Sequence, residues 1–315
     1  MNTVLYIAVP CYNEEEVLNE TSKRLSEKLN SLINSGVISD KSRVVFVDDG
    51  SKDRTWEIIC SLHEENPMMC GVKLSRNRGH QNALLAGLSY SRQYADAVIS
   101  MDADLQDDIN AVDKMLEKFH EGCEVVYGVR SERKTDTVFK RSTAQLFYKL
   151  MNAMGAEVVY NHADYRLLSK RAAEYLESFS EVNLFLRGIV PLIGFKSDKV
   201  YYERGERFAG ESKYPLKKML AFALDGITSF SVKPLKIISV IGILMAVVSA
   251  IFLFKAIFDH YTNNAEIGWP SLMCSVWFIG GVQTFCIGII GEYIGKIYSE
   301  TKRRPRFIIE ETRGD

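Results

Sequence analysis

Two aspartates one residue apart, Asp102 and Asp104, follow directly on an apolar run, Ala97-Val98-Ile99, in the stretch SMDADLQDD (Ser100–Asp108). Residues two apart in a strand share a face, and where the strand ends and the chain turns, two such carboxylates converge on one point. Uncompensated, they repel and raise each other's pKa. A divalent cation removes that cost. Hard oxygen donors with open coordination positions suit Mg²⁺ or Mn²⁺ that also holds a diphosphate.

The pair alone is a weak signal, because solvated loops hold many like it. Three further stretches strengthen it: VPCYNEEE (Val9–Glu16), VDDGSKD (Val47–Asp53) and LSRNRGHQNALLAG (Leu74–Gly87). Each follows an apolar run, so all three belong on one rim with the aspartate pair. Part of this is turn and cap chemistry: Pro10 restricts its loop, Gly50 suits a tight turn, and Ser51 or Asp53 suits a helix start. That reading leaves unexplained why carboxylates recur after successive strands. His80 reads as a helix-start residue with no catalytic role.

The elements that must position these residues alternate. Strands are expected at Val4–Val9, Arg43–Val47, Gly71–Leu74, Ala97–Met101 and Glu124–Gly128. Helices are expected near Glu14–Asn34, Arg54–Glu65, Gly79–Gln93 and Ile109–His120. This alternation predicts an α/β fold on a mostly parallel sheet, with ligands beyond the carboxyl ends of the strands. At 315 residues the chain has room for one large domain and an appendage. Its net charge of −1 argues against a general nucleic-acid binder. Six cysteines without CxxC or zinc spacing read as reduced thiols.

The second half differs. Residues 237–254 and 270–291 carry no charge and approach the ~20 residues that span a bilayer. Lys233 and Lys236 precede the first. Lys296, Lys302, Arg303, Arg304 and Arg306 follow the second, and the joining DHYTNNAEIGW has no Lys or Arg. The positive-inside rule then places both termini in the cytoplasm. Buried core helices are the alternative. Ahead of the pair, Tyr214–Phe230 carries an apolar stripe beside Lys217 and Lys218. It fits a helix in the headgroup plane or one packed on the preceding domain. The expected division is a cytoplasmic catalytic domain (1–213), an interfacial helix (214–230), two transmembrane helices within 231–298 (about 235–258 and 270–295) and a basic tail (299–315).

The ordered set PCYNEEE, VDDGSKD, NRGHQNALLAG and MDADLQD resembles the family 2 inverting glycosyltransferases with the A-type nucleotide-sugar-binding fold. GVRSER, ADYRLLSKR, RFAGESKYPLKKM and GEYIGKIYSETKRRP narrow the resemblance to enzymes acting on polyisoprenyl phosphates, such as bacterial undecaprenyl-phosphate glycosyltransferases and dolichol-phosphate mannose synthases. The resemblance implies roles for matching positions. Pro10, Tyr12, Glu14, Asp48 and Asp49 surround the nucleotide. Asp102 and Asp104 meet metal and donor, and Gln106 also reaches the metal. Arg130, Arg207, Ser212 and Lys213 meet phosphate, a task suited to the arginine fork. Asp164 lies on the acceptor side, as base or as orienter. Asp104, Asp164 and Arg207 are the implied catalytic residues.

The resemblance also implies a UDP-sugar donor, with glucose first and N-acetylglucosamine second. It further implies a polyprenyl-phosphate acceptor, inversion, a cell-membrane location and a homo-oligomer, on the pattern of relatives a tetramer. A polysaccharide synthase would call for more spans and a QxxRW motif, which is not seen. A nucleotidyltransferase would call for a glycine-rich phosphate loop. A membrane scaffold would not need intact carboxylates.

Overall fold

A computed structural model of the chain describes residues 2–131, 162–181, 186–203, 205, 232–261 and 269–314. The expected interfacial helix (214–230), Arg207, Ser212 and Lys213 lie outside the described residues. The described residues before 206, together with 303–314, form one compact unit, and those of 232–302 form a second.

The first unit is a three-layer α/β assembly. In chain order it contains β1 (Leu5–Cys11), α1 (Leu18–Asn34), β2 (Arg43–Asp48), α2 (Thr55–Glu65), β3 (Met69–Leu74), α3 (His80–Ser91), β4 (Ala97–Ser100), α4 (Ala111–His120) and β5 (Val125–Arg130). Then come β6 (His162–Ser169), α5 (Lys170–Ser178), α6 (Leu186–Leu192), β7 (Ser197–Tyr202) and, from the C-terminal end, β8 (Ile309–Arg313). The strands form one sheet in the order β7-β5-β6-β4-β1-β2-β3-β8.

Strand β1, LYIAVPC, is buried along its whole length, the continuous apolar pattern of a strand covered on both faces. Leu5, Ile7 and Val9 pack in one cluster with Leu18, Leu25 and Leu29 of α1. On the other face α3 comes in close at Gly87, where a Cβ would stand 2.9 Å from Val47 Cγ2 and 3.1 Å from Ala8 Cβ. The leucines of α1 recur at helical spacing, so one stripe is buried and the charged face stays in water.

Pairings β1–β2, β1–β4, β2–β3 and β5–β7 are parallel, while β4–β6, β5–β6 and β3–β8 are antiparallel. The sheet is therefore mixed, a finer description than the parallel sheet expected. Because β6 reverses between β4 and β5, the strands β1 to β5 and β7 all point the same way. Their carboxyl ends share one rim, and β6 begins on it.

The second unit holds two long helices, α7 (Lys233–Tyr261) and α8 (Trp269–Thr301). Within α8, the 24 residues Phe278–Thr301 are long and apolar enough to cross a membrane. It is the one such stretch among the described residues, so the expected two-span hairpin is not established by length and composition. Residues 309–313, assigned from sequence to a basic tail, instead form β8 on the edge of the sheet.

Candidate active site

The rim is built by the turns that follow the strands. After β1, Asn13 enters the left-handed region at φ 54°. Its amide donates to Ser51 Oγ (3.0 Å), and its side-chain oxygen accepts from the Lys52 amide (2.9 Å). The Glu14 amide donates to Thr55 Oγ1 (2.9 Å). The loops after β1 and β2 are thus tied into one wall. Pro10 lies in β1 beside Val47 of β2, and the Tyr12 ring stands 42% exposed at the wall's edge.

Asp48 ends β2 and Asp49 follows it, and both are buried. The Ser51 amide donates to Asp48 Oδ1 (3.1 Å), while Asp48 Oδ2 is buried without a hydrogen-bond partner among the described residues. Burial raises the pKa of both carboxyls. Asp49 accepts from the amides of Arg78 (2.6 Å to Oδ1) and Gly79 (2.8 Å to Oδ2), anchoring the loop that starts α3. Gly50 makes this approach possible: its φ is +66°, and a Cβ there would lie 2.6 Å from Arg76 C and Asn77 N.

Asp102 and Asp104 stand just past β4, and Leu105 turns the chain at φ 56°. The Gln106 amide donates to Asp104 Oδ1 (3.2 Å), and Gln106 itself is buried. The Asp102 carboxyl is pushed up to about 6. Burial is the main cause, and Asp107, Asp164 and Asp104 add to it against the opposing effect of His80. His80 begins α3 as expected, but its ring joins the carboxylates: Nε2 lies 3.5 Å from Asp102 Oδ1 and 3.8 Å from Asp164 Oδ2.

Asp164 reaches the rim through β6. The register Ser100↔Arg166 carries two residues further to bring Asp164 level with Asp102. Two arginines hold its carboxylate. Arg166, 1% exposed, donates to Oδ1 (2.5 Å). Arg187, from the start of α6, donates through Nη2 to Oδ2 (3.0 Å) and through Nε to Oδ1 (3.4 Å). Burial alone would raise this carboxyl's pKa, but Arg187 and Arg166 overcome it and hold the group well below the usual carboxylate range. Asp164 is therefore an anion at neutral pH and a poor proton acceptor.

Arg130 ends β5. Its Nε donates to the Tyr202 hydroxyl (3.2 Å), and its Nη2 lies 3.5 Å from Asp107 Oδ1. The Tyr202 hydroxyl donates to the same Asp107 oxygen (2.5 Å). Arg130 thus braces the turn that carries Asp104 and Gln106. The structure brings together Pro10, Tyr12, Glu14, Asp48, Asp49, Asp102, Asp104, Gln106, Arg130 and Asp164 on one rim. It adds His80, Asp107, Arg166, Arg187 and Tyr202, which sequence reasoning missed. His80 and Asp107 had local signals, the first in the RNRGHQN stretch after β3 and the second in SMDADLQDD after β4. The others meet the rim through long-range pairing that spacing does not reveal.

The fold sets this carboxylate rim at the carboxyl ends of its parallel strands, where α/β sheets bind ligands. The glycosyl transferase family 2 model matches residues 6–176, and a model for the GtrB C-terminal hairpin matches residues 233–297. The chain belongs to glycosyl transferase family 2 and is a glycosyltransferase, as the four motifs implied. It is 55% identical to an uncharacterized glycosyltransferase of Bacillus subtilis, YkoT, over 98% of this chain and 91% of that one. It is 40% identical to the prophage bactoprenol glucosyl transferase homolog of Escherichia coli, over 98% of each chain. A bactoprenol glucosyl transferase of Shigella phage SfX is also 40% identical, over 96% of this chain and 98% of that one. Among solved structures, mannosyl-3-phosphoglycerate synthase from Rubrobacter xylanophilus aligns over 71% of each chain at 16% identity, with a TM-score of 0.47.

Proposed function

We propose that this glycosyltransferase moves glucose from UDP-glucose to a polyprenyl phosphate at a membrane, with inversion at the anomeric carbon. The observation that carries the reading is one polypeptide holding both a donor-type carboxylate rim and two long helices studded with exposed apolar residues. Phe254, Phe258, Phe278, Phe285 and Ile287 are each more than 65% exposed. Such surfaces need lipid, not water. The relatives named as bactoprenol glucosyl transferases, alike over nearly the whole chain, support the same acceptor and sugar.

In this reading an oxygen of the lipid phosphate attacks the anomeric carbon. The bond from that carbon to the diphosphate breaks, and its electron pair leaves with UDP. A phosphate monoester is largely anionic at neutral pH, with a second pKa of about 6, so no strong base is needed. Asp164, held ionised by its two arginines, orients rather than deprotonates. Glu14, Asp48 and the wall they share frame the nucleotide.

A divalent cation fits the chemistry of the residues present. The Asp102 carboxyl stands raised among like charges that a cation would offset. Asp102 and Asp104, with Gln106, are the residues assigned to Mg²⁺ or Mn²⁺, which when bound supplies positive charge to the leaving diphosphate. Arg207, Ser212 and Lys213 remain assigned to phosphate by resemblance. The two-span topology, cytoplasmic termini and self-association belong to the same proposal.

The test incubates membranes containing the protein with radiolabelled UDP-glucose and extracts the lipid phase. A glucosyl phosphate lipid is expected, and none should form with Asp102→Ala or Asp104→Ala. Label transferred to polymer or protein instead, or full activity in either variant, would sink the reading.

A further inference from the structure

The proposed reaction must bring a second anion, the acceptor phosphate, beside a donor site already crowded with carboxylates. The cluster around Asp164 is where the rim offsets that charge. There two guanidiniums, Arg166 and Arg187, flank one carboxylate, Asp164. His80 links this cluster to Asp102.

The two arginines are not equivalent. Arg166 is sealed in the core at 1% exposure, where its Nη1 also donates to the Leu186 carbonyl (3.3 Å). Arg187 is 30% exposed and lies at the first turn of α6, so it can meet a ligand while its Nε edge stays on Asp164. Side-on pairing fixes the plane of a guanidinium, and a planar fork of fixed orientation suits two phosphate oxygens. Asp164 is itself fixed by Arg166 from below. The order of support runs from a buried arginine to a carboxylate to an accessible arginine.

We infer that Arg187 binds the acceptor phosphate and that Asp164 is a positioning residue acting through Arg187. This rests on the acceptor class proposed above. It gives Asp164 a task that its hydrogen bonds to Arg166 and Arg187 serve directly. It also places acceptor recognition on β6 and α6, apart from the nucleotide wall built by β1 and β2.

The variant of choice is on Arg187, because changing Asp164 would strand Arg166 in the core without its carboxylate. Full-length Arg187→Gln and Arg187→Lys would be assayed in detergent with UDP-glucose and varied polyprenyl phosphate. In Arg187→Gln the KM for the lipid should rise roughly 10- to 100-fold, the loss expected of one hydrogen bond to a charged group. The KM for UDP-glucose should stay within about twofold, since one contact contributes nothing to a ligand it does not touch. Arg187→Lys, which keeps the charge and loses the fork, should fall between. Independently of turnover, farnesyl phosphate should raise the melting temperature of the wild type and not of Arg187→Gln, with farnesol inert for both.

An unchanged lipid KM, or a rise in UDP-glucose KM equal to that for lipid, overturns the inference. If Arg187→Gln fails to bind UDP and so has not folded, Arg187→Lys decides: a raised lipid KM supports the assignment and a wild-type value overturns it. Wild-type protein that binds UDP but makes no lipid product would instead refute the acceptor class itself.

Discussion

Asp102 shows what one residue's surroundings do to the whole chain's stability. Burial and three nearby carboxylates hold its pKa at about 6, against 3.8 for the free group. Between about pH 4 and pH 6 the folded chain therefore keeps a proton that the unfolded chain has lost, and stability from this group falls as pH rises through that window. Above it, the ion-free protein carries an unfavourable charge. Asp102→Asn should accordingly melt higher than wild type at about pH 7.5 and lose that advantage near pH 4, while abolishing transfer. Mn²⁺ should raise the wild-type melting temperature and leave the variant's unchanged. Thermal scans with and without the ion check both expectations, and a variant that melts lower than wild type at the higher pH would contradict the account. The places of Asp102, Asp104, Asp48 and Asp49 past strand ends were legible in the sequence because the two pairs come just after apolar runs. The places of Arg187 and Tyr202 were not, because each meets the rim through a partner far along the chain. His80 was placed on its helix correctly but not in its cluster, since a helix start says nothing about what the ring faces.

At the scale of elements, the strands with Val- and Ile-rich cores were readable, and β1 to β5 fall within two residues of expectation at either end. Three strands were missed for physical reasons. Strand β7 is an edge strand that alternates exposed and buried residues over SDKVYY. Strand β6 carries Asp164 and Arg166 through the sheet interior, tolerable only because they pair with each other. Strand β8, IEETR, is exposed along most of its length and has no apolar face to announce it. It nevertheless covers the open edge of β3, pairing Val72 with Thr312 and Lys73 with Glu311. The Ser75 amide donates to the Ile308 carbonyl (3.0 Å), at the head of the loop whose Arg78 and Gly79 amides hold Asp49. Ending the chain after residue 302 keeps both long helices and uncovers that edge. Such a variant should melt lower, by about 2–4 °C for each kcal/mol lost in a domain of this size, and should self-associate through the bare strand. Its UDP affinity should fall as the loop loosens. Thermal scans, light scattering and UDP titration measure the three effects. Wild-type values in all of them would reduce β8 to a passive end.

The whole molecule joins an α/β unit to two long helices that carry exposed apolar side chains. Along α7, Ile243, Val247 and Ile251 are exposed, and along α8 so are Phe278, Phe285 and Ile290. Either water covers these surfaces or lipid does, and charge substitution separates the two cases. In water, an arginine at such a position replaces an exposed apolar side chain, relieves an aggregation hazard and leaves the fold intact. In a bilayer, an arginine near the middle of a spanning helix costs about 2.5–3.5 kcal/mol on insertion scales. Val247 and Phe285 lie near the centres of the two helices, at 53% and 68% exposure. Val247→Arg with Phe285→Arg should then cost roughly 5–7 kcal/mol if the two costs add and both helices span. The double variant should leave the carbonate-resistant membrane fraction, while its α/β unit still binds UDP. If both helices cross, each single variant should lower that fraction. If only α8 crosses, Phe285→Arg should lower it and Val247→Arg should not, giving one span instead of the proposed hairpin. Carbonate extraction of the three variants followed by quantitative blotting reads this directly. A double variant that stays in the membrane fraction as fully as wild type would remove lipid from the account of these helices, and with it the reason for placing the carboxylate rim beside a membrane-borne acceptor.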